Sequence, residues 1–193
     1  MIKATAIILA GGKSQRMGYK NKALLELGGK PFIEIMIDKV RDFDEIMIVG
    51  KDYNQYMYPN VVYVKDRVEN HGPLAGIYSG LEAAKNEVCL VIPCDTPYLQ
   101  EELLKKMVFI CKKYEAVVPK NDRYFQPLCA CYKKSNIRLI KEAIKNGVTK
   151  PIDLYPMMNI YYMSNEEIQT FGEYEVIFKN INTINQYKEL EKI

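Results

Sequence analysis

The stretch Ala4-Thr-Ala-Ile-Ile-Leu-Ala-Gly-Gly-Lys-Ser-Gln-Arg-Met-Gly18, continuing to Lys22, sets the reading of the whole chain. Its first part, Ala4 to Ala10, is an apolar run of strand length and predicts a buried β-strand. Gly11 and Gly12 then turn the chain without side chains, so backbone N–H groups can face a phosphate or a base at close range. Arg16 and Lys22 add a planar bidentate donor and a mobile point charge to the same loop. A glycine turn with two cations at the carboxyl end of a strand suits a polyphosphate.

Counting excludes the two best-known phosphate loops. A Walker loop needs Lys directly after the second of two glycines five apart, and the residue five beyond Gly12 is Met17. The dinucleotide fingerprint needs glycines at its first, third and sixth positions, which Gly11, Gly12 and Gly18 do not supply. A different nucleotide loop is required.

Outward from the loop, Lys22 to Leu27 with Gly28-Gly29 reads as a short extended piece and a turn. Ile33, Met36, Ile37 and Val40 then recur at helical spacing over 32–41. Strands are predicted at 46–49 and 61–64, with a helical turn near 54–58 between them. Gly72-Pro73 opens a helix with Leu74, Ile77, Leu81 and Ala84 on one side, and Val88 to Ile92 is a continuous apolar strand of the kind buried on both faces. Beyond it lie a predicted helix over 100–112, strands at 116–119 and 125–132, and a helix capped by Ser135 and stopped by Gly147. The remainder is less regular, with expected strands near 159–163 and 176–181 and a last helix from Thr183. Strands alternating with helices predict a mostly parallel α/β sheet, and no repeat or linker divides the chain.

Right-handed crossovers put the loops after parallel strands along one edge of such a sheet, where ligands bind. Residues 11–22, 66–76 and 93–97 therefore converge. Asp95, just beyond a buried strand, is the candidate carboxylate for Mg²⁺ held against phosphate oxygens. Asp66 is placed to accept hydrogen bonds from a purine or a ribose hydroxyl. His71 is the one histidine, with no neighbouring nucleophile in the sequence, which removes a Ser/His/Asp or Cys/His triad. Lys13 and Lys20 read as solvent-facing. With Mg²⁺, Lys22 and Arg16 neutralising charge, a phosphate of one substrate could attack the α-phosphorus of a nucleoside triphosphate in line and expel pyrophosphate. The residues alone thus lead to Mg²⁺-dependent nucleotidyl transfer, with base and acceptor open.

Composition fits this reading. The chain has 193 residues, 48% of them hydrophobic and 26% charged, which suits one substantial core and an ordinary globular protein. A net charge of +3 without a basic block gives no sign of nucleic acid as a partner. No apolar run reaches the ~20 residues of a membrane span, and the start lacks a signal-peptide layout, so the expected location is the cytoplasm. Five cysteines in separated apolar contexts read as reduced buried thiols, and Cys129 and Cys131 lack the partners for a zinc site.

Three segments taken together resemble the molybdenum cofactor guanylyltransferase (MobA-like) family: Leu9 to Gly18 with Lys22, the 66–76 loop containing Gly72-Pro-Leu-Ala-Gly76, and Pro93-Cys-Asp-Thr-Pro97. Asn180-Ile-Asn-Thr183 resembles that family's closing motif, so the likeness runs over nearly the whole chain. The resemblance implies a single Rossmann-like α/β domain over 1–193, a three-layer sandwich with a mostly parallel sheet of the nucleotide-diphospho-sugar transferase type. It implies Mg²⁺-dependent transfer of GMP from GTP to the terminal phosphate of molybdopterin, with pyrophosphate released. Leu9, Ala10, Gly11 and Gly12 would contact the nucleotide, Lys22 its phosphates, Asp66 the guanosine part and Asp95 the metal. Asn180 and Asn182 would lie near the pterin, and Gln126-Pro127 would border the acceptor. Proteins of molybdenum cofactor biosynthesis or insertion are the partners it suggests.

Two positions depart from the family's pattern. Asn21 stands where Asp commonly precedes the loop lysine, and Gly50-Lys51 stand where an Asn often holds the nucleoside. Leu9-Ala-Gly-Gly and Gly72-Pro-Leu-Ala-Gly favour guanine, but a cytidylyltransferase or a sugar-phosphate nucleotidylyltransferase of the same fold is the alternative. A non-catalytic GTP-binding module is a third reading, against which the intact Lys22 and Asp95 speak.

Overall fold

In chain order the strands are β1 (Ile2–Leu9), β2 (Glu26–Leu27), β3 (Lys30–Pro31), β4 (Phe43–Gly50), β5 (Val61–Lys65), β6 (Val88–Pro93), β7 (Ala116–Pro119), β8 (Ala130–Lys133) and β9 (Ile160–Met163). The helices are α1 (Phe32–Lys39), α2 (Gly72–Ala83), α3 (Glu101–Cys111), α4 (Ile137–Lys145), α5 (Asn165–Gln169) and α6 (Tyr174–Ile177). They come from a computed structural model that describes residues 1–11, 22–50, 57–66 and 72–181. Seven strands form one sheet in the order β5-β4-β1-β6-β8-β7-β9, and β2 pairs with β3 in a small separate hairpin. β1 is parallel to both of its neighbours, β4 is parallel to β5, and β7 is parallel to β9. Only β8 opposes its neighbours, β6 and β7.

The sheet is covered on both faces, and the strand sequences alternate accordingly. Ala4, Ala6 and Ile8 of β1, Leu90 and Ile92 of β6 and Val117 of β7 share one core cluster with Ile33 and Met36 of α1 and Leu103, Leu104 and Met107 of α3. Ile7, Cys89, Val91 and Val118 face the opposite way, against Leu74, Ile77 and Leu81 of α2 and Ile140 and Ile144 of α4. This is the expected three-layer α/β sandwich with a mostly parallel sheet. Because β1 and β6 are interior strands, burial on both faces leaves no place for the polar alternation of an exposed sheet.

Helix α2 sits unusually close to β1. A Cβ placed on Gly76 would come 3.2 Å from Leu9 Cδ2, and one placed on Gly80 would come 2.7 Å from Ile7 Cγ2. One turn apart, the two glycines let the helix backbone lie on the side chains of the central strand. Every residue from Leu74 to Leu81 is buried, and α4 and the 3₁₀ turn Pro151–Met157 share the cluster that packs against the helix.

Several local expectations change. The strand expected at 125–132 is reduced to β8, because Gln126 N–H donates to Pro119 O and Cys129 N–H to Gln126 O, forming a turn around Pro127. Phe125 keeps one isolated bridge to Lys120. The strand expected at 176–181 is instead the short helix α6 followed by irregular chain, with Tyr174 and Ile177 buried at helical spacing. Ser135 lies inside a 3₁₀ turn, Lys134–Asn136, and does not cap α4. A full capping box between Ser164 and Glu167 starts α5, where no helix was expected. The turn expected at 54–58 falls mostly outside the described residues, and the helix expected from Thr183 falls wholly outside them.

The tight seat of α2 makes Gly80→Val destabilising by about 1–3 kcal/mol of overpacking, read from the denaturant midpoint. Ile7→Ala in the same chain should recover part of that loss. Strictly additive losses in the double variant would show that the two side chains do not compete for the same space.

Candidate functional site

β1 and β6 end side by side, with Leu9 opposite Pro93. Beyond them the pairing continues for single bonds: Cys94 N–H donates to Leu9 O at 3.2 Å and Ala10 N–H to Val49 O at 2.8 Å. After Ala10 the chain turns off the sheet at Gly11, whose backbone lies close to Gly50. A Cβ on Gly50 would stand 3.4 Å from Ala10 O, so the two backbones cross closely there.

Lys22 returns to this edge at the start of a 3₁₀ turn, Lys22–Leu24, that buries Ala23 completely. Its Nζ donates to Asp95 Oδ2 at 3.2 Å, and the two side chains are only 21% and 16% exposed. The loop carrying Asp95 is stiffened from within, because the buried Thr96 donates its hydroxyl to Pro93 O at 3.2 Å and Leu99 N–H donates to Thr96 O. Next to Asp95, the Cys94 thiol is pushed up to about 12, first by burial and then by the Asp95 charge, with Lys22 opposing both. It stays protonated at neutral pH and is no nucleophile.

Asp66 follows β5 at the same edge, two strands from β1 and so about 10 Å across the sheet. Its N–H donates to Gly50 O at 3.0 Å, and its Oδ1 accepts the Ser79 hydroxyl from α2 at 3.2 Å. On the other side, Gln126 lies in the loop joining β7 to β8, with its side chain beside the buried Tyr174 hydroxyl, whose pKa is raised chiefly by burial. Asn180 is exposed and immediately precedes Ile181, whose N–H donates to Asp95 O at 3.0 Å. Leu9, Ala10, Lys22 and Asp95 thus meet at one point, with Asp66 and Gln126 on either flank. Gly12, Arg16, Asn21, Lys51, His71 and Asn182 lie outside the described residues.

The roles of Ser79, Thr96 and Ile181 were not read from the sequence. Ser79 and Thr96 are polar residues in otherwise buried stretches, which is a usable signal. Ile181 acts through its backbone and gives none.

Among the described residues no group of three or more His, Cys, Asp or Glu could hold a metal ion, and the carboxylate that stands beside Lys22 is Asp95. That donor set fits Mg²⁺, which is commonly held by one or two carboxylates with substrate phosphates and waters completing the shell. It does not fit a structural zinc or a soft metal.

A mostly parallel α/β sheet with a glycine turn, a lysine and an aspartate at its carboxyl edge defines a nucleotidyltransferase-type site. The MobA-like NTP transferase domain matches residues 6–153. A probable molybdenum cofactor guanylyltransferase of Clostridium perfringens strain 13 is 36% identical, covering 100% of this chain and 98% of that protein. One from Pelotomaculum thermopropionicum is 37% identical over 95% of this chain and 89% of its own length. Among solved structures, molybdopterin-guanine dinucleotide biosynthesis protein A from Archaeoglobus fulgidus superposes with a TM-score of 0.82 at 27% identity, covering 97% of each chain. The chain belongs to the MobA-like family of molybdenum cofactor guanylyltransferases and is an enzyme, a nucleotidyltransferase.

All five cysteines are free and buried. Cys89 and Cys94 hold their protons to about 12, against 9.0 for an exposed thiol. Between those values the folded chain binds more protons than the unfolded one, so stability falls as pH rises above 9, by up to about 1.4 kcal/mol per pH unit for each thiol. Urea midpoints measured from pH 8 to pH 10 should drop, and Cys94→Ala should flatten the drop. A slope unaffected by that substitution would show that the thiol is not held protonated.

Proposed function

We propose that this enzyme transfers GMP from GTP to the phosphate of molybdopterin in a Mg²⁺-dependent reaction, releasing pyrophosphate and forming the molybdopterin guanine dinucleotide cofactor. Support comes from the Lys22–Asp95 pair at the meeting of β1 and β6, within a chain of this family. The proposed unit is one nucleotidyltransferase domain over 1–193, working in the cytoplasm. Its proposed protein partners are those of cofactor biosynthesis or insertion. Among the described residues no helix is long and apolar enough to cross a membrane.

In this reading the turn at Leu9, Ala10, Gly11 and Gly12 receives the nucleotide, and Asp66 accepts hydrogen bonds from its guanosine part. Lys22 leaves Asp95 for the phosphates and carries positive charge to the oxygens on which negative charge builds in the transition state. Arg16 adds a second cation to the same loop. Asp95 would hold Mg²⁺, which supplies charge neutralisation on the phosphates. The attacking phosphate monoester has a second pKa of about 6 and is largely a dianion at pH 7. It therefore needs no general base, which agrees with the protonated state of Cys94. Asn180, Asn182 and Gln126 border the acceptor, and the enzyme's remaining task is alignment.

Pyrophosphate release with Mg²⁺, molybdopterin and each nucleoside triphosphate in turn should be most efficient with GTP. Preference for CTP would move the chain to a cytidylyl role. Release with a sugar phosphate in place of molybdopterin would change the acceptor. GTP binding without release under any acceptor would make it a binding module. Asp95→Ala and Lys22→Ala should each lower kcat by at least about 100-fold with the fold intact by circular dichroism. Wild-type turnover in Asp95→Ala would defeat the metal assignment.

A further inference from the structure

A small apolar cluster stands apart from the two that cover the sheet. Phe32 and Ile181, both fully buried, form its centre, with Leu25, Leu27, Ile35 and Tyr98 packed around them. These residues come from four separate segments: the chain just after Lys22, the first turns of α1, the loop just after Asp95 and the segment after α6.

Each segment is tied to its neighbours by backbone bonds. Leu25 N–H donates to Lys22 O at 3.2 Å, and Phe32 N–H donates to Leu25 O at 2.8 Å. Lys22 therefore projects from a turn whose next residues are anchored in the cluster. Asp95 stands three residues before Tyr98, which packs against the same cluster. Ile181 joins the two sides. Its side chain fills the centre, while its N–H donates to Asp95 O at 3.0 Å. That bond fixes the peptide plane after Asp95, and Cys94 N–H on Leu9 O fixes the chain just before it. These two bonds restrain the backbone on either side of Asp95, and the Lys22 bond restrains its carboxylate.

We infer that Ile181 is a positioning residue for nucleotidyl transfer, holding the loop of Asp95 in the geometry that sets its carboxylate against Lys22 and presents it to the metal. The metal part of this inference rests on the proposed role of Asp95. Asn180 immediately precedes Ile181, so the contact also holds the chain at Asn180 beside the Asp95 loop, with Asn180 itself exposed.

The test compares Ile181→Ala with Ile140→Ala, a core truncation in α4 on the far face of the sheet. Amide exchange is followed over 93–99 in the enzyme without metal or nucleotide, and Mn²⁺ binding is measured by electron paramagnetic resonance with GTP present. Ile181→Ala should speed exchange over 93–99 about tenfold or more, weaken Mn²⁺ several-fold, and lower kcat more than it raises KM for GTP. Ile181→Val should give an intermediate exchange rate. Ile140→Ala should lose thermal stability and leave exchange over 93–99 and Mn²⁺ binding unchanged. If Ile181→Ala loses stability with both of those unchanged, the residue is ordinary packing and the inference falls. Should Ile181→Ala not fold, Ile181→Val against Ile140→Val decides by the same measurements. If Asp95→Ala binds Mn²⁺ as the wild type does, the metal role of Asp95 fails, and the exchange rates alone decide whether Ile181 holds the loop.

Discussion

Strand β1 is hydrogen-bonded along both edges and covered on both faces, and most of the architecture follows from that. From Ala4 to Ile8 the strand is buried throughout and carries no charge, and its side chains must match the layers above and below it. Ala4 and Ala6 keep one side shallow for α1 and α3, whereas Ile7 and Leu9 fill the space that Gly76 and Gly80 leave under α2. The ladder then runs out at Ala10, and the turn at Gly11 is the first place where the backbone leaves its strand partners. The site begins where the pairing of β1 stops.

What gathers there is a pair of opposite charges separated by 73 residues of sequence. Neither side chain is more than about a fifth exposed, so each would be costly to leave there without its partner. Their pairing lets the enzyme keep a lysine and an aspartate ready at the same spot. In the proposed reaction, polyphosphate gives the ammonium a new partner and leaves the carboxylate for a cation. The hydrogen bonds around Pro93, Thr96 and Leu99 and the cluster around Phe32 keep the two backbones from drifting apart.

Much of this was legible in the sequence because apolar runs of fixed period have few alternatives. Val88 to Ile92 reads as a doubly buried strand and is one, and the right-handed crossover rule brings residues 9–11, 66 and 93–95 to one edge. The misreadings arose where composition and geometry disagreed. Phe125 to Tyr132 has strand-like content, but Pro127 has no N–H to give to a ladder, and the chain turns instead. Val176 and Ile177 favour strands by propensity, yet burial of Tyr174 and Ile177 against the core selects a helical turn. Ser164 and Glu167 carried a capping signal in plain sight. The contact between Ile181 and Asp95 uses a backbone N–H that every residue except proline possesses, so no pattern of side chains could announce it.

The reversed strand β8 has an architectural consequence. In a purely parallel sheet each strand contributes one loop to the binding edge and must spend a helix to return. β8 returns directly, so the connection from Pro119 to Ala130 crosses the rim with no helix of its own and is held against α6, where Asn121 donates to Glu175 at 3.4 Å. That half of the rim is therefore built from the connection of an antiparallel pair, with Phe125 edge-on to Tyr155 and Cys129 buried in the core. The fold thus joins two kinds of wall, one carried by parallel strands and one by an antiparallel return, a division written into strand direction alone.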